Sequence, residues 1–197
     1  MLKYSFGHLN IILASGSPRR QSFLKALNIP FEIRLKPVNE IYPEHLKGYE
    51  ISDYLAQLKA EIFIKELKKN DLLITSDTIV WHRMKALGKP KDRNEAISML
   101  TGLSNDRHDV ITSVCITTPK QQLVFHETTE VAFKSLTSAE IEFYVDTYHP
   151  FDKAGAYGIQ EWIGSIGIRY IKGSYNNVVG LPTQKLYETL KAFARDN

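Results

Sequence analysis

The sequence predicts an α/β fold in which a mixed sheet is flanked by helices. Short apolar runs typical of buried strands alternate along the chain with amphipathic segments of helical period. Two later runs, 108–118 and 122–133, are separated only by a turn around Pro119, which indicates a hairpin within the sheet. The composition is that of a globular domain, with 43% hydrophobic and 24% charged residues.

The first half of the chain predicts three strands and two helices. "NIILAS" (10–15) is a short apolar run that indicates a buried strand, and Pro18 suits the first position of the helix that follows. A second strand is expected within 28–35. The segment 52–69 has the apolar spacing of an amphipathic helix, and 71–81 is apolar enough for another buried strand.

The second half adds three helices around the expected hairpin. Asp92 and Thr137 are each followed three residues later by a glutamate, which is the pattern of a capping box at a helix start. The glycine-rich stretch 155–182 predicts short strands and tight turns. A final helix is expected over 183–195.

Charge and cysteine content exclude several classes of protein. A formal net charge of +3 is too small to indicate a nucleic-acid partner. Cys115 is the one cysteine and lies in an apolar run, so we expect a core side chain in a reducing compartment. No run approaches the roughly 18 apolar residues of a membrane span, and the first residues lack the apolar length of a signal peptide. We therefore expect a cytoplasmic protein with no membrane partner.

The segment "LASGSPRR", which starts at Leu13, has the arrangement of a phosphate site. A strand is followed by small residues and by a helix start, where unpaired N–H groups and the helix dipole attract anions. The small residues let an oxyanion approach the backbone, and arginine side chains match phosphate oxygens. The alternative is an ordinary helix cap with two solvated arginines. The candidate contacts are Ser15, Gly16, Ser17, Arg19 and Arg20.

Five further polar residues are candidates, although each has an ordinary explanation. Asp77 lies in an apolar run, where a carboxylate must be paired or bind a cation; a structural carboxylate is the alternative. Lys89 precedes a helix start, Glu40 follows a strand, and Lys59 lies on a helix, and alone each would be a surface residue. Gln160 lies among glycines, where the backbone can approach a ligand closely.

Seven segments taken together resemble the Maf family of nucleoside triphosphate pyrophosphatases. They are "LASGSPRR", "LAQLKA", "SDTIV", "LGKP", "HDVITSV", "DKAGAYGIQ" and "GSYNNVVGLP", in family order from about residue 10 to residue 190. The resemblance implies a single Maf-like domain over 1–197, with a twisted mixed sheet and two lobes around a central cleft, related to the inosine triphosphate pyrophosphatases. It also implies a homodimer, a divalent metal (Mg²⁺, with Mn²⁺ as the alternative), and cleavage of a nucleoside triphosphate between its α and β phosphates.

Three positions resemble the dTTP/UTP subgroup of that family. Arg19, Thr78 and Gln160 match it, whereas the subgroup acting on 7-methyl-GTP carries other residues there. The chain departs from the usual pattern at Ser76, where Gly or Ala is common, and at Glu161, where Gly is common. The turn "HRMKA" also lacks the common Asp-Gly or Asn-Gly. A carboxylate at Glu161, next to Gln160, could narrow or alter the base preference.

The resemblance also implies roles for the charged residues. Arg20 would hold the phosphate chain, and Lys59 and Lys89 would contact the leaving pyrophosphate. Glu40 and Asp77 would hold the metal, since hard carboxylates suit magnesium, and Asp77 would also orient and deprotonate the attacking water. The catalytic candidates are therefore Arg20, Glu40, Asp77 and Lys89, and the water-activating role of Asp77 is the one that the resemblance assigns.

The resemblance assigns base reading to the remaining candidates. The carboxamide of Gln160 offers both a donor and an acceptor, which suit O4 and N3–H of uracil or thymine. Because an amide can flip, Gln160 alone does not exclude cytosine. Arg19 and Thr78 would supply further contacts.

Three other functions remain open at the level of sequence. The chain could be a pyrophosphatase for another nucleotide, such as 7-methyl-GTP. It could be a nucleotide sensor that restrains cell division through protein contacts. A serine hydrolase using Ser15 or Ser17 with His108 is the third alternative, although residue types alone do not define a triad.

Overall fold

The computed structural model describes Phe6 and residues 8–195 and contains a seven-stranded mixed sheet. The strands are β1 (Asn10–Leu13), β2 (Glu32–Ile33), β3 (Asp71–His82), β4 (Lys85–Leu87), β5 (Arg107–Thr117), β6 (Gln122–Phe133) and β7 (Ile168–Lys172). The helices are α1 (Pro18–Ala26), α2 (Tyr49–Glu61), α3 (Arg93–Leu103), α4 (Ser138–Tyr148), α5 (Trp162–Gly167), α6 (Tyr175–Val179) and α7 (Thr183–Arg195). Single 3₁₀ turns cover Ile64–Glu66 and Ala154–Ala156.

The sheet has the strand order β2-β1-β3-β5-β6-β7, with β4 paired to β3 outside this path. β1 pairs parallel with both β2 and β3, and Leu13 lies opposite Ile33 on one side and Ile74 on the other. The β3–β4 and β6–β7 pairs are antiparallel. The predicted α/β class with a mixed sheet is therefore confirmed.

Helix boundaries differ from the prediction where packing overrides the local pattern. α2 covers Tyr49–Glu61 instead of 52–69, because the chain leaves the helix after Glu61 and enters the 3₁₀ turn at Ile64–Glu66. Phe63, just beyond the helix, is buried against the core instead of following the helical stripe.

The glycine-rich stretch 155–182 also departs from the prediction. It forms the strand β7 as expected, but the short helices α5 and α6 flank that strand. The final helix α7 has the predicted range.

The two predicted helix caps differ in completeness. Thr137 and Glu140 form a reciprocal capping box at the start of α4, as predicted. At α3 the side chain of Asp92 accepts from the backbone N–H of Glu95 at 2.9 Å. The Glu95 carboxylate, however, accepts from the backbone N–H of Lys91 at 2.7 Å. In a capping box it would accept from the backbone N–H of Asp92, so the return bond is shifted by one residue.

The chain divides into two compact units, and the first contains residues up to Asp77, Thr112–Glu127 and residues from Gly180. Successive side chains of β1 and β3 point to opposite faces of the sheet, and helices cover both faces of this part of it. One face packs against α1 and α7 through a large apolar cluster, and the other packs against α2. The second cluster contains Ile12, Ala56, Ala60, Phe63, Leu73 and Cys115.

The second unit contains Thr78–Ile111 and Thr128–Val179. Its buried side chains include residues of α3 and α4 and an aromatic group formed by His108, Phe133 and Tyr157, with ring centroids 5.1 to 5.7 Å apart. The turn between β3 and β4 uses Arg83 and Met84 at φ of 47° and 64°. Two-residue turns of this kind favour Asn-Gly, so this turn carries strain that its sequence does not relieve.

Two expectations about the chain as a whole concern Cys115 and membrane segments. Cys115 is buried, and this burial raises the pKa of its thiol, which agrees with the predicted core role. Between Leu9 and Arg195, no helix combines the length and apolar character that crossing a bilayer requires. Residues 1–5 and Gly7, where the signal-peptide expectation begins, lie outside the described residues.

Candidate active site

The predicted phosphate segment lies between the end of β1 and the start of α1. Ser17 caps α1, and its Oγ accepts from the backbone N–H of Arg20 at 3.5 Å, while Pro18 occupies the first turn. The Oγ of Ser15 accepts from the backbone N–H of Ser17 at 3.3 Å. No acidic residue lies in the first turn of α1, so the positive end of the helix dipole is not neutralised locally.

The guanidinium of Arg20 is fixed by two backbone carbonyls of the first unit. Its Nε donates to the carbonyl of Gly180 at 2.9 Å, and its Nη1 donates to the carbonyl of Ser76 at 2.9 Å. The β1–β3 ladder ends where the N–H of Ala14 donates to the carbonyl of Ile74 at 2.9 Å. Because alternate carbonyls point to the same side of a strand, that of Ser76 comes next and lies beyond the reach of β1. Arg20 thus takes the place of the missing strand partner.

The charge of Arg20 lies within electrostatic reach of two candidate carboxylates. Burial lowers the pKa of the Arg20 guanidinium, and the carboxylates of Asp77 and Glu40 offset part of that decrease. The neighbouring charge of Arg19 acts in the same direction as burial. Four of the predicted charged residues therefore interact electrostatically as one group, namely Arg19, Arg20, Glu40 and Asp77.

A second group of predicted residues meets at the ammonium of Lys59. Its Nζ lies 2.6 Å from Oδ1 of Asp77 and 2.9 Å from Oε1 of Glu40. The side chain of Asp77 is only 9% exposed, whereas that of Glu40 is 42% exposed. A carboxylate as buried as Asp77 needs a charged partner, and Lys59 supplies it from the last turn of α2.

The donor atoms in this group fit a magnesium ion. Glu40 and Asp77 offer hard carboxylate oxygens side by side around Lys59. Among the described residues, no cluster of three or more potential metal-ligating His, Cys, Asp or Glu side chains occurs. Mg²⁺ is commonly bound by one or two carboxylates, with phosphate oxygens and water completing its shell, so a two-carboxylate donor set is compatible with it.

The remaining predicted site residues belong to the second unit. Thr78 directly follows Asp77 in β3 and is half-buried, and Lys89 and Gln160 are exposed. The backbone N–H of Gly155 donates to the carbonyl of Gly88 at 3.0 Å, which fixes the segment just before Lys89 within this unit.

Other predicted contacts and two residues that sequence reasoning missed lie in the first unit. Gly16 is exposed and Arg19 is half-buried in the phosphate segment. Sequence reasoning missed Ser76 and Gly180, whose backbone carbonyls accept hydrogen bonds from Arg20. Every residue type has a backbone carbonyl, so the type of a residue does not indicate this role. The hydroxyl of Ser76, a departure from the family pattern, is buried and has no hydrogen-bond partner among the described residues.

The geometry around His108 does not support a serine hydrolase. Its Nε2 lies 2.7 Å from the hydroxyl of Tyr157, and its Nδ1 is buried with no partner in the described part of the chain. Burial lowers the pKa of His108 to about 3. A neutral imidazole paired with a tyrosine in the second unit lacks the serine contact that a triad requires.

Comparisons with known proteins agree with the resemblance found in the sequence. The family model described as "Maf-like protein" matches residues 10–193. A protein of Christiangramia forsetii named dTTP/UTP pyrophosphatase is 56% identical over 191 residues, which cover 97% of each chain. One of the same name from Flavobacterium johnsoniae is 55% identical over 190 residues, covering 96% of this chain and 98% of the relative.

Among solved structures, the Staphylococcus aureus Ham1 protein is similar with 19% identity and a TM-score of 0.49, covering 95% of this chain and 98% of that one. The family assignment depends instead on the matched model and on relatives that are more than half identical over nearly their whole length. The chain belongs to the Maf family.

Proposed function

We propose that this protein is a nucleoside triphosphate pyrophosphatase that hydrolyses dTTP and UTP to the monophosphate and pyrophosphate. Relatives that are 55 and 56% identical over nearly the whole chain are named for that activity. Arg19, Thr78 and Gln160 resemble the pattern of the dTTP/UTP subgroup. The proposal includes a single Maf-like domain over 1–197, a cytoplasmic location, a homodimer, and Mg²⁺ as the metal with Mn²⁺ as the alternative.

The observation that carries the proposal is the meeting of Glu40, Lys59 and Asp77 in one unit. One ammonium lies within 3 Å of two carboxylates. The same unit contains the α1 N-terminus and the Arg20 guanidinium, whose charge interacts with both carboxylates. Donors for an anion and acceptors for a cation thus lie within one electrostatic group, as hydrolysis of a metal-bound polyphosphate requires.

In the proposed mechanism, the polyphosphate binds at the start of α1. The positive end of the α1 dipole, the hydroxyls of Ser15 and Ser17, and the side chain of Arg20 would face its oxygens. Lys89 adds a point charge to the leaving pyrophosphate. Mg²⁺ held by Glu40 and Asp77 would neutralise phosphate charge and acidify the attacking water.

Asp77 then acts on the attacking water. Its carboxylate accepts a proton from the water while the water oxygen bonds to the α phosphorus. The bond between that phosphorus and the oxygen bridging to the β phosphorus breaks, and its electron pair leaves with pyrophosphate. Lys59 keeps the Asp77 and Glu40 carboxylates together by offsetting their mutual repulsion.

A panel of triphosphates with Mg²⁺, assayed for released pyrophosphate, tests the proposal. We expect dTTP and UTP to be hydrolysed at least about tenfold faster than 7-methyl-GTP, since the loss of one base-reading hydrogen bond has about that effect. A preference for 7-methyl-GTP, or nucleotide binding without turnover, would instead favour the other family subgroup or a sensor.

Two carboxylates of β3 provide a matched pair of variants for the role of Asp77. Asp77→Asn should abolish hydrolysis while nucleotide binding survives. Asp71→Asn is the control, because Asp71 is also buried but lies at the start of the strand, where it contacts Asn10 and Arg34. Near-normal turnover by Asp77→Asn would make Asp77 a structural carboxylate.

A further inference from the structure

Gln160 lies in a tight turn of the second unit whose two ends are hydrogen-bonded. The backbone N–H of Glu161 donates to the carbonyl of Gly158 at 3.0 Å, which closes a four-residue turn. Ile159 points into the core and is buried, while Gln160 is exposed. The direction in which the backbone of the turn presents Gln160 is therefore set by how firmly Gly158 and Glu161 are held.

The hydroxyl of Tyr144 ties both ends of this turn to α4. It accepts from the backbone N–H of Gly158 at 2.9 Å and donates to Oε2 of the Glu161 carboxylate. Together with the turn hydrogen bond, these two hydrogen bonds link Gly158, Glu161 and Tyr144 in a closed ring of contacts. Gln160 lies in the chain segment between the two turn ends that this ring holds. Tyr144 itself is fully buried, and its ring stacks on Tyr148 with centroids 5.2 Å apart, so it is a fixed point of attachment.

The second oxygen of the Glu161 carboxylate is also engaged. Oε1 lies 3.0 Å from Nζ of Lys153, whose side chain is only 11% exposed. Lys153 also contacts Asp152 at 2.7 Å. Both carboxylate oxygens of Glu161 thus have a partner inside the unit, and Lys153 is shared between the carboxylates of Glu161 and Asp152.

Gly158 fits this arrangement because a larger residue would collide with it. A Cβ at this position would lie 2.8 Å from Cδ of Glu161 and 3.0 Å from Cε of Lys153. The backbone of Gly158 is packed directly against the Glu161–Lys153 ion pair, which leaves the turn little freedom to tilt.

We propose that Glu161 is a positioning residue for Gln160, which it holds through Tyr144 and Lys153 in the orientation that reads the pyrimidine base. This inference rests on the proposed function, in which Gln160 contacts the base. Glu161 does not present its carboxylate to the nucleotide, so its departure from the family's usual glycine strengthens the turn instead of adding a base contact. Because the Tyr144 hydroxyl belongs to the same ring, we expect Tyr144, on α4, to affect base preference as well.

A double-mutant cycle on kcat/KM for UTP tests the proposal. Glu161→Ala is expected to lower kcat/KM by about tenfold, mainly through a higher KM, because one base-reading hydrogen bond loses its alignment. Tyr144→Phe removes only the hydroxyl and is expected to have a similar effect. Glu161→Gln keeps an acceptor for that hydroxyl and should remain within about threefold of the wild-type value.

The decisive variant is Gln160→Ala combined with Glu161→Ala. If Glu161 acts through Gln160, the double variant has the kcat/KM of Gln160→Ala alone to within about threefold. Tyr170→Phe is the matched control, because its hydroxyl also donates to a glutamate, Glu130, at 3.0 Å on β6. Its kinetics should be unchanged, and thermal unfolding of every variant confirms that the fold is retained.

The outcomes separate this inference from the proposed function. Losses that multiply in the double variant would mean that Glu161 acts independently of Gln160, and wild-type kinetics in Glu161→Ala would mean that it does not act at all; either overturns the inference. A wild-type protein that turns over neither dTTP nor UTP would overturn the proposed function instead, and the positioning of Gln160 for pyrimidines with it.

Discussion

Replacement of Arg20 is expected to destabilise the protein even when no nucleotide is present. The guanidinium donates to the carbonyls of Gly180 and Ser76, which lie far from each other in the chain. These bonds join the start of α1 to the end of the β1–β3 ladder and to the segment that precedes α7. Arg20 therefore has a structural role in addition to its proposed contact with phosphate.

The size of the effect follows from the number of hydrogen bonds lost. A bond from a charged donor contributes about 1.5–3 kcal/mol, and a buried carbonyl left without a donor costs about 1–3 kcal/mol. Arg20→Lys keeps the charge but lacks the planar fork, so we expect it to retain one bond and to lose about 2 kcal/mol. Arg20→Met loses both bonds and should be less stable by about 4 kcal/mol.

Equilibrium urea unfolding without nucleotide or metal measures these losses. Lys25→Met is the control, since Lys25 is an exposed cation in the last turn of the same helix, and its loss should change stability by about 0.5 kcal/mol. The free energy of unfolding should fall in the order wild type, Arg20→Lys, Arg20→Met. If both Arg20 variants unfold at the wild-type urea concentration, the carbonyl contacts contribute nothing and the reasoning is wrong.

Three further predictions concern Lys59, Met84 and His108. Lys59→Met leaves the buried Asp77 carboxylate without its ammonium partner, so the variant should be less stable by about 3 kcal/mol. Millimolar Mg²⁺ should raise the Tm of this variant more than the Tm of the wild type, and equal shifts would contradict this prediction. Met84→Gly relieves a φ of 64° at an exposed position and should raise Tm by about 2–4 °C, whereas Met84→Ala should give no gain. Because the pKa of His108 is lowered from 6.5 to about 3 in the folded chain, the unfolded chain binds a proton first as the pH falls. Stability that is complete above pH 6.5 is then lost towards pH 3, with a slope of up to about 1.4 kcal/mol per pH unit, and urea unfolding of His108→Gln should lack that part of the slope.

Elements with a strong local signal could be predicted from the sequence. The capping pair Thr137–Glu140 contacts only its own helix end, and α7 has an uninterrupted helical stripe, so both were predicted correctly. The stretch 155–182 was predicted less well, because its frequent glycines suggest turns. Gly167 instead lies where a Cβ would be 3.0 Å from the ring of Phe133, so close packing selects that glycine within a helix.

Site residues could be predicted by type but not by contact. The resemblance named Lys59 as a ligand of the pyrophosphate, and nothing in its helical surroundings indicated the two carboxylates that its ammonium contacts in the structure. Those contacts depend on Glu40, from the chain before α2, and on Asp77, from the strand after it. The packing of α2 on β3 brings Lys59 to Asp77, and the chain before α2 adds Glu40.

The depth at which Lys59 reaches the sheet is set by small residues on the same helix. Ala56 and Ala60 are fully buried where α2 faces β3, and the carbonyl of Ala56 accepts from the hydroxyl of Thr75 at 2.7 Å. Because side chains alternate along a strand, Thr75 and Asp77 lie on the same face, towards α2. Two alanines thus let the helix backbone approach closely enough for Thr75 to bond to it, and that approach places the ammonium of Lys59 at 2.6 Å from Asp77. The chemistry proposed for Asp77 therefore depends on apolar packing as much as on charge.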